Sequence, residues 1–119
     1  MSDKPIRVSH VAVPGTLSVL KLKSHLRTTI GNLAAEGPED EILLVKVLVP
    51  RALGLKAGER FFDKVLQQIV GDDKRVRRVS VEFVDGDITP EVIAASEARV
   101  QAEVAQYGHL LQDADDASQ

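Results

Sequence analysis

The 119-residue sequence predicts a mixed α/β domain: a two-layer βαβαβα sandwich of about three strands, with helices on one face and a long closing helix. An α+β arrangement is the alternative class. Three observations carry this. Three strand-length runs of aliphatic or alternating residues, 6–13, 42–49 and 76–84, are separated by stretches of helical spacing. Each connection is long enough for a crossover, which favours parallel pairing. A helix-start signature, Thr89-Pro90-Glu91, then precedes a long alanine-rich segment.

In the first run, Val8, His10 and Ala12 alternate with Ser9, Val11 and Val13, and Pro14-Gly15 ends it. Val19, Leu22, Leu26, Ile30 and Leu33 then form one stripe at steps of three and four, which predicts a helix from about Thr16, as N-cap, to Glu36. Leu20-Lys21-Leu22-Lys23 also alternates like a strand, so a hairpin over Pro14-Gly15 is the competing reading of 16–23. The run Ile42 to Val49 is aliphatic except for Lys46 and reads as the central strand. Residues 51–58 read as a loop feeding a helix from Glu59 to Val70, with Phe62, Val65, Leu66 and Ile69 inward and Gly71 after its end. In the third strand Val79, Val81 and Phe83 point one way and Arg78, Ser80 and Glu82 the other. The final helix is expected to end near Leu111. This gives one domain over 1–112 and a disordered acidic tail over 113–119, with a frayed start over 1–5.

Composition narrows the function classes. Hydrophobic residues make up 44% and charged residues 28%, ordinary for a folded chain. Aromatics are only 3%, with no Trp, so base-stacking and sugar-stacking platforms are scarce. The absence of cysteine excludes disulfides, thiol nucleophiles and thiolate metal sites, and suits a cytoplasmic location. No apolar stretch has membrane-spanning length, so no membrane association is expected. The net charge of −3 is unevenly spread: residues 1–60 carry nine Lys/Arg against six Asp/Glu, and residues 61–119 carry six against twelve. That acidic second half disfavours broad contact with a phosphate backbone.

Charged residues at alternate strand positions predict one mixed-charge sheet face holding Arg7, Lys46, Arg78 and Glu82. With the stripe Ile93, Val100, Val104, Tyr107 and Leu111 of the last helix, which can pack on the domain's own sheet or on a second copy, this face is the candidate oligomer interface. A second candidate is an anion site at the expected loop, formed by Arg51, Lys56, Gly58 and Arg60 at a helix N-terminus. A third is the run Lys74, Arg75, Arg77 and Arg78, dense enough for a polyanion but preceded by Asp72 and Asp73. Asp85 and Asp87 offer loose metal or acid/base candidates, although Asp-Gly-Asp is foremost a turn. His10, His25 and His109 lack metal-ligand spacing. No catalytic residue, metal or cofactor is assigned.

Val49-Pro50-Arg51 and Leu53-Gly54-Leu55-Lys56-Ala57-Gly58-Glu59 resemble the core of AbrB-type DNA-binding domains over about a dozen residues. That family continues with a strand, whereas Phe61 to Leu66 has helical spacing. The strand–helix order is similar to that of Alba-type nucleic-acid-binding domains, without their basic loop. The sequence therefore leads to a non-enzymatic interaction or assembly module, a homo-oligomer or partner of another protein. A nucleic-acid or other anionic-ligand binder is the alternative.

Overall fold

The computed structural model describes residues 5–38 and 41–117, with side chains as far as Gly108. Its elements are β1 (Ile6–Ala12), α1 (Val19–Glu36), β2 (Ile42–Pro50), α2 (Arg51–Ala57), α3 (Glu59–Asp72), β3 (Val76–Val84) and α4 (Pro90–Ala117). The three strands form one sheet in the order β1-β2-β3, and both pairings are parallel. Residues 1–4 and 118–119, at the ends of the expected frayed start and acidic tail, lie outside the described residues. Helix α4 continues to Ala117, where the composition had pointed to a tail.

The order explains the layering. Each step from strand to strand goes in the same direction, so two right-handed crossovers place their helices on the same face. On that face Leu43, Val45, Val47 and Val49 of β2 pack with Leu22, Leu26 and Ile30 of α1 and with Phe62, Val65 and Ile69 of α3. The helical reading of the first connection holds, with Ser18 rather than Thr16 at the N-cap position. Leu20, off the apolar stripe, is 95% exposed, so the local alternation of residues 20–23 does not decide the structure.

Residues 51–57 were expected as a loop and are a helix. Gly54 lowers intrinsic helicity, but its role is spatial: a Cβ there would run into the Phe83 ring. Helix α2 can thus lie directly on β3. Gly58, at φ 85°, then breaks the chain between α2 and α3, and its N–H closes α2 on the Gly54 carbonyl at 2.9 Å. The α3 helix runs through Gly71 to Asp72, past the expected end.

One register irregularity sets the faces of β3. Leu43 aligns with Val76 but Leu44 with Arg78, leaving Arg77 as the additional residue. Val76 therefore joins the core while Arg78, Ser80 and Glu82 share the opposite face with Leu44, Lys46 and Leu48.

Arg7 was expected on that mixed-charge face and is not there. Its register partner is Leu43, so it points to the α1 side. Its guanidinium donates to Glu41 at 2.9 and 2.6 Å and to the Leu33 carbonyl, and burial of the Glu41 side chain to 2% exposure makes this a tie between β1, α1 and β2. The Arg7 pKa is raised, chiefly by the hydrogen bond to Glu41.

Two outcomes check this packing by urea denaturation. Gly54→Ala is expected to destabilise by about 1–3 kcal/mol through overpacking against Phe83. Arg7→Met is expected to lose about 3 kcal/mol by stranding the buried Glu41 carboxylate, and adding Glu41→Met should recover most of that.

Candidate functional site

The second sheet face is built from Ile6, Val8, His10 and Ala12 of β1, then Leu44, Lys46 and Leu48 of β2, and Arg78, Ser80 and Glu82 of β3. Helix α4 crosses it in cis, lying closest to β1. Thr89 caps the start of α4, its hydroxyl accepting from the Val92 N–H at 3.3 Å. Val92, Ser96, Val100, Val104 and Gly108 follow at steps of four, and Ser96 and Gly108 are the buried points of this stripe. Small residues let the helix approach: a Cβ on Gly108 would stand 3.3 Å from Ile6 Cδ1.

A part-buried polar clasp joins His10 Nε2 and Ser96 Oγ at 3.0 Å. Ser96 is 0% exposed, so the pair fastens α4 to β1 rather than presenting a hydroxyl to a substrate. The buried Nδ1 of His10 has no hydrogen-bond partner. With Nε2–H donating to Ser96, that nitrogen keeps a lone pair, whereas protonation would strand an N–H. Burial lowers the His10 pKa; Lys46 and Arg99 act in the same direction, against Glu97 and Glu82.

Beside α4 the face remains open as a groove of about 440 Å³. Val8 and Leu44 lie in its floor with Lys46 and Ser80, and Val100, Val104 and Tyr107 form the helix wall. Lys46 Nζ stands 4.0 Å from Glu82 Oε1. Arg99 of α4 holds both oxygens of the same carboxylate, at 2.9 and 2.8 Å. Of the expected interface stripe, Ile93, Val100 and Val104 are half-buried, Tyr107 is 51% exposed, and the Leu111 side chain lies outside the described residues.

The other candidates are dispersed. Arg51 is paired with Asp85 across the α2 start and the turn after β3, while Lys56 sits in the last turn of α2 and Arg60 is exposed in α3. The carbonyl end of α2 meets the N–H end of α3 at Gly58, and Glu59 occupies the first turn, so the local field does not favour an anion. Arg75 is committed to Asp73, whose pKa is lowered mainly by the Arg75 hydrogen bond. Lys74 is exposed at the turn, and Arg77 and Arg78 occupy different positions around the bulge. Among the described residues no cluster of three His, Asp or Glu could hold a metal ion, and no helix is long and apolar enough to cross a membrane. His109 carries a side chain outside the described residues.

Sequence reasoning missed the His10–Ser96 clasp and the contributions of Val8, Leu44, Ser80 and Glu103 to the groove. Its available signals were the apolar neighbours of His10 at alternate positions and the small residues spaced along the last helix. Comparison with protein-family models, curated proteins and solved structures finds no match for this chain.

The depressed His10 pKa fixes a sign. Below its ordinary value of 6.5 the unfolded chain takes up a proton that the fold resists. Stability should therefore fall as pH drops through about 6.5 and level off below the folded value. Urea midpoints from pH 8 to pH 5 check this, and His10→Gln should flatten that segment. Any loss from Asp73 comes at lower pH, since its carboxyl pKa is lowered from 3.8.

Proposed function

We propose that this chain is an assembly module that pairs with a second copy of itself through the outer edge of β3. One observation carries the reading: the edge is nine residues long, no strand lies beside it among the described residues, and its side-chain pattern is self-complementary. An edge of this length presents a row of backbone donors and acceptors to another strand. In an antiparallel pair about a two-fold axis at Ser80, Arg78 stands opposite the partner's Glu82 and Val79 opposite the partner's Val81. Directly opposed residues share a face, so the charges meet on the groove side and the valines on the helix side.

Charges on a lone edge commonly serve to repel other strands. Here the two signs lie at equal distances from one residue, a pattern that attracts an identical edge. Val79, Val81 and Phe83 are half-exposed beside α3, where Leu66, Val70 and Val79 line a further groove of about 350 Å³. A second copy would bring its own α3 toward that space and join the two sheets into one of six strands. The β1 edge lacks the corresponding symmetry: about its centre, Ser9, Arg7 falls opposite Val11. The scattered cations of residues 51–60 and 74–78 give the nucleic-acid alternative less support.

Light scattering after size exclusion should show a concentration-dependent dimer. Arg78→Glu and Glu82→Arg each place like charges opposite one another at two positions per dimer. Each variant alone should dissociate on the order of ten- to a hundredfold more readily. Mixed together they restore opposite charges at both positions and should form a heterodimer. A wild-type chain that stays monomeric at millimolar concentration contradicts the proposal.

A further inference from the structure

We propose that the groove between α4 and the second sheet face binds a free medium-chain aliphatic monocarboxylate, with Lys46 receiving the carboxylate. A volume of about 440 Å³ suits a small ligand rather than a water chain. Its body is aliphatic, from Val8, Leu44, Val100 and Val104, and Tyr107 is the one aromatic side chain along it. Such walls suit a flexible hydrocarbon of about six to ten carbons better than a flat ring, which gains most from aromatic faces.

Two cations line the groove, Lys46 on its floor and Arg78 on the β3 side; Arg78 is exposed to water, so the less exposed Lys46 supplies the charge complementarity. It interrupts the aliphatic central strand, its side chain is 24% exposed, and the nearest carboxylate is 4.0 Å away and doubly held by Arg99. A lysine partly withdrawn from water, whose ion pair is long and whose counter-ion is shared with Arg99, keeps capacity for a second anion. Ser80 is its register partner on β3, so a hydroxyl stands beside the ammonium on the same floor. Together they can meet the two oxygens of one carboxylate. Glu103, exposed on the helix wall, opposes a second negative end and so selects a monocarboxylate over a dicarboxylate. The groove lies within one chain, so binding does not require the β3 pairing.

The chain has one Tyr and no Trp, so intrinsic emission reports from Tyr107 in the groove itself. The full chain would be titrated with octanoate, 1-octanol and suberate. The expected result is a saturable change in tyrosine emission with octanoate, and binding at least about tenfold weaker for the alcohol and the dicarboxylate. Lys46→Met, with folding checked by circular dichroism, should bind octanoate and octanol alike, while Glu103→Gln should narrow the gap between octanoate and suberate. No saturable response, equal affinity of the wild type for octanoate and octanol, or an octanoate preference retained in Lys46→Met would each overturn the proposal.

Discussion

Three parallel strands laid down in sequential order constrain everything else in this molecule. Right-handed crossovers that always step the same way send every connecting helix to one face of the sheet. The first two connections obey this, and α1, α2 and α3 enclose the main core with one side of β2. The other side of β2, still rich in aliphatic residues, is covered among the described residues by the chain after β3. Helix α4 is that cover, and one helix cannot span three strands.

Where α4 lies follows from small residues and the hydrogen bond between His10 and the buried Ser96. Ser96 and Gly108 allow close approach to β1, and His10 holds Ser96. Helix α4 lies closest to β1, and Leu48 of β2 and Val84 of β3 are also buried on this face. The groove is therefore confined to the part around Leu44, Lys46 and Ser80, and among the described residues no strand covers the β3 edge. Both proposals grow from this incomplete coverage. Lys46 and Glu82 are tolerated there because that part of the face is only partly withdrawn from water. Arg99 ties α4 back toward β3 without closing the gap.

Much of the fold was legible in the residues. The aliphatic run 42–49 marked the central strand, the four-step stripe from Leu22 marked α1, and Thr89-Pro90 marked the start of α4. The α2 helix was hidden because Gly54 mimics a loop residue, and its purpose is visible only once Phe83 lies against it. The side to which Arg7 points could not be read from alternation alone, since alternation gives two sets of residues but not which set faces the helices. The site was less legible. Lys46 stood out as an interruption, but the residues that surround it come from four elements and meet only through tertiary packing. The 93–100–107 spacing left open whether the helix packs on its own sheet or on a second copy, and the stripe that docks on the sheet steps by four through Ser96 and Gly108.

The central claim is that the bare β3 edge is an interface centred on Ser80, and a cross-linking measurement tests it directly. The chain contains no cysteine, so Ser80→Cys introduces a single thiol at the proposed axis. In antiparallel register the two Cβ atoms would stand about 4.5–5.5 Å apart, within reach of a disulfide after small adjustment. Mild oxidation should convert the folded variant to a covalent dimer on non-reducing electrophoresis, more completely than a cysteine placed at exposed Ala102. A Ser80→Cys chain that remains monomeric under oxidation, or cross-links no better than Ala102→Cys, contradicts the account.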